Sequence, residues 1–433
     1  MSAISSLKDQ GHDDRYADLI TRRKRFLGPA YRHFYRDPVH LVRGSGVHVW
    51  DANGKQYLDF YNNVPSVGHC HPQVVEAMSR QASVLNTHTR YLHDSVVDYA
   101  EALLATFPAP LEQVMFTCTG SEANDLALRI ARSVTGATGV IVVGKAYHGV
   151  TGDLAEISPS LGPASAPAAH VRMVPSPTGV IIDGTALADR FEADVRTAIK
   201  SLQDAGHGLA MFIFDTVFAS QGLFVEPAGF IAGAVEAVRE HGGLWVADEV
   251  QSGLARPGQS MWAFERHGVV PDIVTLGKPI GNGHPLAAMV TRADLIAEFG
   301  KKTRYFNTFG GNPVSTEVGK AVLQVIRDEN LMHNAAATGT VLLDGLRELT
   351  SRHHGISAIR GAGLYAAIEF VKDDGTPDSA RQERIVEAMR ERGVLIGACG
   401  EDNNCLKIRP LLPTGKNHVE VFLDKLDDAL RTH

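Results

Sequence analysis

The chain has 433 residues, 44% hydrophobic and 21% charged, a balance that excludes a disordered chain and leaves room for two or three units with sizeable cores. Its 42 lysines and arginines against 49 aspartates and glutamates give a net charge of −7, so no nucleic acid and no anionic membrane is expected as partner. No segment approaches the ~20 apolar residues of a transmembrane helix. The N-terminus has no apolar signal stretch and carries early acids, which makes the cytoplasm the default compartment. Cys70, Cys118, Cys399 and Cys405 are too few for a disulfide framework, form no C-x-x-C pair and are expected as thiols.

In chain order, residues 1–27 are polar and end in Arg22-Arg23-Lys24-Arg25, expected as a solvated helix face. Residues 47–50 and 56–60 flank Asn53-Gly54 and predict a β-hairpin. His69-Cys70-His71 invites a metal reading, but neighbours in an extended segment alternate faces and no second ligand cluster follows, so a turn at His71-Pro72 is expected and no metal. Helical stretches at 73–85, 94–106, 121–134 and 230–240 then alternate with apolar runs at 114–116, 140–143, 209–214, 244–247 and 273–276. Short apolar strands separated by helices predict an α/β fold with a mostly parallel sheet buried on both faces. Residues 159–177 hold five prolines and are expected as a surface loop.

After the loop at 307–313, helical text runs to about residue 352. Residues 361–371, 385–392, 394–398, 406–409 and 419–431 then predict a compact α+β unit closed by an amphipathic helix. The expected division is 1–60 for the hairpin segment joining the smaller domain, 61–315 for the large domain and 316–433 for the small one.

Two phrases imitate nucleotide motifs. Gly139 to Lys145 has the spacing of a phosphate-binding loop, but the residues between Gly139 and Gly144 are strand formers and Ala146 replaces the metal-binding hydroxyl. Gly361-Ala362-Gly363-Leu364-Tyr365-Ala366 resembles a dinucleotide fingerprint, yet a strand follows where that motif needs a helix.

The informative residues stand where apolar runs stop. The run at 244–247 ends in Asp248-Glu249 and the run at 273–276 in Gly277-Lys278, placing a carboxylate and an amine at strand ends, where open α/β sheets hold ligands. A lysine so protected loses basicity and can form a Schiff base or carry a proton. Thr119-Gly120-Ser121 opens a helix and offers N–H groups and a hydroxyl to an anion. Tyr147-His148 follows the next strand and offers flat rings for stacking. Together these describe a pocket for a phosphorylated aromatic aldehyde, pyridoxal 5'-phosphate.

Through Thr119 to Asn124, Tyr147-His148-Gly149, Ala247 to Gln251, Gly277-Lys278-Pro279 and Asn307 to Pro313, the chain resembles the class III aminotransferases of fold type I over about residues 40–430. The resemblance implies that Lys278 holds the cofactor covalently and, once released by substrate, moves the proton of the nitrogen-bearing carbon. It implies that Asp248 pairs with the pyridine nitrogen and Gln251 bonds the ring hydroxyl. It implies as well that Val250 packs under the ring, that Tyr147 or His148 covers the other face, and that Gly120 and Ser121 hold the phosphate. Thr308 matches the residue that completes the phosphate site of a neighbouring subunit, which implies a homodimer with shared active sites and permits a tetramer.

Two departures bear on the reaction. Many relatives carry Glu-Pro-x-x-x-Glu-Gly-Gly after the central strand, and the second Glu pairs with a carboxylate-binding Arg; here that position is Ser220. Where many relatives read Arg-Ile-x-Pro-Pro, this chain reads Lys407-Ile408-Arg409-Pro410-Leu411, with two cations on one strand face that suit a dianion at least as well as a carboxylate. Residues 62–64, 67–72, 85–94 and 305–308 resemble the branch of ethanolamine-phosphate phospho-lyase and 5-phosphohydroxylysine phospho-lyase. The resemblance thus implies elimination of phosphate from ethanolamine phosphate, with Lys407, Arg409 and Arg90 as candidate binders of the substrate phosphate. The alternatives are an ω-amine or alanine–glyoxylate type transaminase and a non-catalytic protein on the same fold.

Overall fold

The computed structural model describes residues 16–162, 165, 167–177 and 184–433. Its strands are β1 (Leu41–Ser45), β2 (His48–Asp51), β3 (Gln56–Asp59), β4 (Gln113–Thr117), β5 (Gly139–Val143), β6 (Val171–Val174), β7 (Leu209–Phe214), β8 (Leu244–Asp248), β9 (Ile273–Leu276), β10 (Ala287–Thr291), β11 (Ile356–Gly361), β12 (Ala366–Phe370), β13 (Val394–Leu395), β14 (Gly397–Cys399) and β15 (Cys405–Ile408). The helices are α1 (16–27), α2 (Pro72–Ala82), α3 (Asp94–Leu104), α4 (Gly120–Thr135), α5 (Gly152–Glu156), α6 (Gly184–Asp204), α7 (Ala232–Glu240), α8 (Ala293–Lys302), α9 (Pro313–Asp328), α10 (Leu331–Thr350), α11 (Ser379–Glu391) and α12 (Lys416–Thr432). None of the described helices is long and apolar enough to cross a membrane.

The central sheet has the order β4-β10-β9-β8-β7-β5-β6. All neighbours are parallel except β10, which runs antiparallel to both β4 and β9. Alternation along β7 shows why the strand reads as continuously apolar: Phe212 and Phe214 face one core with Phe191, Val235 and Trp245, while Met211 and Ile213 face another with Leu126, Ile130 and Val246. The strand Gly139–Val143 is buried throughout, which is why its glycine-flanked spacing cannot cradle a phosphate.

Sequence patterning missed β10, whose Ala-Ala-Met-Val-Thr run follows a glycine- and proline-rich segment. Residues 159–177 are not all loop, because Val171–Val174 forms the edge strand β6 with its prolines displaced beyond the strand end; residues 163, 164 and 166 lie outside the described residues. The long helical text after residue 313 is two helices, parted at Asn330, which adopts a φ of +51°. The Arg22–Arg25 run lies on α1 with Arg22, Lys24 and Arg25 exposed.

Two four-stranded sheets flank the central one, in the orders β1-β2-β3-β13 and β11-β12-β15-β14. The N-terminal hairpin is tied to the C-terminal part of the chain by β13, whose Val394 pairs with Leu58 of β3. A core of Leu58, Phe60, Leu342, Leu346, Phe370, Ile385, Ile408 and Phe422 fills this part. Residues of α9, with Leu331 and Ala335 of α10, pack instead into the core of the large sheet. The changeover between cores therefore falls inside α10, beyond residues 315–316. His69 and His71 diverge, to Asp59 at 2.7 Å and to Glu329 at 2.9 Å, and Pro72 opens α2.

Helix α10 crosses the turn between β11 and β12 at van der Waals distance: a β-carbon on Gly339 would lie 2.3 Å from the Gly363 carbonyl oxygen. Gly339→Ala is expected to cost about 2 kcal/mol in chemical denaturation, as overpacking against backbone does. An unchanged unfolding midpoint would show that the contact has slack.

Candidate active site

Strands β7, β8 and β9 end side by side, and the loops leaving them line a cleft with Gly120, Ser121, Asn124, Tyr147, His148, Asp215, Ser220, Asp248, Val250, Gln251 and Lys278. The structure thus gathers the sequence-predicted cofactor set, Thr308 excepted, into one place. Asp248 ends β8 and is 5% exposed. Its Oδ2 lies 2.7 Å from His148 Nδ1 and accepts from Asn124 Nδ2 at 3.0 Å, while Oδ1 accepts the Val250 N–H at 3.1 Å. Asn124 also donates to the His148 carbonyl at 2.7 Å, fixing the loop that carries the imidazole. His148 is therefore committed to Asp248, and Tyr147, 43% exposed, is the ring that faces open space.

The anion cradle follows from the start of α4. Thr119 and Glu122 form a capping box that engages the N–H groups of Cys118, Thr119 and Glu122. Those of Gly120 and Ser121, at the positive end of the helix and lining the cleft, are left for an anion. Space is kept by glycine: a β-carbon on Gly120 would meet Val250 Cγ1 at 2.9 Å, and one on Gly277 would meet it at 3.1 Å. Lys278 follows β9 at a φ of +31° and opens a 3-10 turn, Lys278–Gly281. Burial lowers the pKa of its amine, opposed by Asp248 and Asp215 and reinforced by Arg409. An anion cradle, a buried carboxylate and a depressed amine around a cleft that Val250 lines fit pyridoxal phosphate.

The group of residues behind Gln251 was only partly legible. Lys407 of β15 and Arg409 just beyond it are 6% and 8% exposed, not the solvated edge cations that the sequence alone permits, because β15 lies between β12 and β14. Among the described residues neither forms an ion pair with a carboxylate. Arg409 donates instead to Gln251 Oε1 at 3.0 Å and stacks its guanidinium 4.9 Å from the Tyr61 ring centre. Tyr365 donates to the same Gln251 oxygen at 3.1 Å, and Lys407 Nζ sits 5.8 Å from the Tyr365 ring centre. Tyr61 and Tyr365 were not anticipated; Tyr365 stood within the phrase that imitates a dinucleotide fingerprint. Asp215 was quoted only as aligned text, and the structure sets it half-buried in the lining of the cleft, with both oxygens accepting backbone N–H groups, from Val217 at 3.1 Å and Ala219 at 3.2 Å.

Arg90 and Thr308 lie elsewhere on the chain. Both are exposed, and Arg90 stacks 3.9 Å from the centre of the Phe306 ring instead of joining Lys407 and Arg409. Asn307 anchors the Thr308 loop to α4 by donating to Glu122 Oε1 at 3.0 Å.

Burial and the neighbouring Arg409 push the Lys407 pKa down to about 7. A lysine whose folded pKa lies below its unfolded value opposes folding wherever it is charged, so the penalty is full below pH 7 and fades as pH rises toward the ordinary lysine value. Lys407→Met is therefore expected to raise the unfolding temperature at pH 6, with a gain that shrinks steadily toward pH 9.5. A gain independent of pH would contradict this assignment.

The sequence model of the aminotransferases of class III matches residues 31–430. Among curated relatives, the chain is 36% identical over 436 residues to ethanolamine-phosphate phospho-lyase homolog 1 of Caenorhabditis elegans, covering 95% of this chain and 93% of that protein. It is 37% identical over 424 residues to an alanine–glyoxylate aminotransferase 2-like protein of Drosophila melanogaster, covering 94% and 85%. Among solved structures, a phospholyase from Arthrobacter in complex with phosphoethanolamine superposes with a TM-score of 0.93 at 45% identity, covering 96% of this chain and 100% of that one. With its mixed α/β architecture and cofactor cleft, the chain belongs to the class III aminotransferase family of fold type I pyridoxal-phosphate enzymes.

Proposed function

We propose that the protein is a phospho-lyase that converts ethanolamine phosphate to acetaldehyde, ammonia and phosphate. The observation that carries this reading is the pair Lys407 and Arg409, two buried cations beside the cofactor cleft with no carboxylate partner among the described residues. Buried charge needs a counter-charge, and a dianionic phosphate supplies one to both. Ser220 in the same cleft removes the glutamate that would otherwise neutralise such an arginine. The phosphoethanolamine complex of the Arthrobacter phospholyase supports the same substrate class.

Bound pyridoxal phosphate supplies an electron sink that acidifies the carbon bearing the substrate nitrogen. Asp248, oriented by His148, Asn124 and the Val250 N–H, would pair with the pyridine nitrogen. Gly120 and Ser121 hold the cofactor phosphate, and Gln251 meets the ring hydroxyl. The Lys278 amine, its basicity reduced by burial, takes the proton from the nitrogen-bearing carbon. Lys407 and Arg409 grip the substrate phosphate and receive its growing charge as the neighbouring carbon–oxygen bond breaks with its electron pair. The unsaturated amine that leaves is protonated and hydrolysed to acetaldehyde and ammonia, so no amino acceptor is consumed. A homodimer would cover the exposed apolar side chains of Val84, Leu85, Tyr91, Leu92, Phe306 and Phe309 and bring Thr308 to the partner's phosphate cradle.

The relatives named alanine–glyoxylate aminotransferase favour a second reading, a transaminase that needs a keto acid and uses Arg409 for a carboxylate. Purified holoenzyme given ethanolamine phosphate without a keto acid is expected to release phosphate and acetaldehyde over many turnovers. No phosphate, with alanine formed from pyruvate, would establish the transaminase. Lys278→Ala is expected to abolish turnover. Lys407→Met and Arg409→Met are each expected to raise KM for ethanolamine phosphate at least about tenfold, the loss of one charged hydrogen bond to a dianion. Unchanged KM values would overturn the phosphate-binding assignment.

A further inference from the structure

We propose that Tyr365 is a positioning residue that, together with Arg409, fixes the Gln251 amide and gives Lys407 an aromatic face where no carboxylate makes an ion-pair contact. The inference rests on the phospho-lyase reading for what the cations bind, and on geometry for how they are held. Arg409 can only donate, so the Gln251 atom 3.0 Å from its guanidinium must be the amide oxygen. The Tyr365 hydroxyl donates to that oxygen at 3.1 Å, filling its second lone pair. The amide is thereby locked with its N–H2 end free for an acceptor in the cleft that Gln251 lines, which suits a donor to the ring oxygen of the cofactor.

The ring of Tyr365 acts on the other cation. Lys407 Nζ stands 5.8 Å from the ring centre, within the range of a cation–π contact. An aromatic face steadies an ammonium without neutralising it, so the charge stays available to an anion, whereas a carboxylate there would compete with the substrate. Arg256 braces the same wall from behind: its NH1 donates to the carbonyls of Leu364 at 3.1 Å and Pro410 at 2.7 Å, each next in sequence to one of the two donors on Gln251. Tyr365 is 3% exposed, so none of this depends on solvent. One side chain thus spans the cofactor contact and the substrate cations.

The two halves separate in the holoenzyme by Tyr365→Phe, which removes the hydroxyl, and Tyr365→Leu, which also removes the ring. Tyr365→Phe is expected to shift the pH titration of the visible cofactor absorbance and to lower kcat about threefold to tenfold with KM nearly unchanged. That shift should vanish in a Gln251→Leu background, since a residue acting through Gln251 has nothing left to position. Tyr365→Leu is expected to weaken binding of inorganic phosphate at least about fivefold by titration calorimetry. A Tyr365→Phe titration identical to the parent, or a shift that persists without Gln251, would overturn the amide role; parental phosphate affinity in folded Tyr365→Leu would overturn the cation role. If the parent releases no phosphate from ethanolamine phosphate, the phospho-lyase reading falls, while the absorbance titration still decides whether Tyr365 positions Gln251.

Discussion

A carboxylate that must find its hydrogen bonds away from water is the constraint on which the rest of this site depends. Asp248 is the last residue of a buried strand, and three polar partners converge on it there. The partners come from α4, from the loop after β5 and from the backbone just beyond β8, so the carboxylate joins three segments far apart in the chain, with β7 lying between β5 and β8 in the sheet. Removing one partner would leave a buried charge short of hydrogen bonds, at a cost of a few kcal/mol. The local geometry around the cofactor pocket is therefore as much an electrostatic structure as a packed one.

The cations beside Gln251 invert that logic. Asp248 is satisfied by the protein, whereas Lys407 and Arg409 are steadied by an amide oxygen and two aromatic rings that leave their charges standing. Arg409 repels the Lys407 amine, and on the proposed reading a bound phosphate would relieve that repulsion.

Much of this was legible in the sequence because strands announce their ends. The runs closing at Asp248 and at Lys278 carry no charge before those residues, so the first charged group marks the rim of the sheet. Strand β10 was not legible, since an alanine-rich run after glycine and proline has no distinctive period; only pairing to β4 and β9 makes it a strand. The partner of His148 was missed for a different reason: an imidazole beside a tyrosine reads as a stacking group until a carboxylate 100 residues away is placed 2.7 Å from it. Tyr365 lay in a phrase whose glycines drew attention from its ring. Thr308 and Arg90 sit on an exposed surface, and a single chain carries no sign of what a second would bring to them.

The backbone at Lys278 has a consequence for how this chain can be improved. A φ of +31° is one that residues with a side chain adopt at a cost of about 1–2 kcal/mol, and glycine adopts freely. Selection for thermal stability alone would favour glycine here and strip the cleft of its amine. The position is a point of conflict between robustness and chemistry, where a stabilised library needs an activity screen beside it.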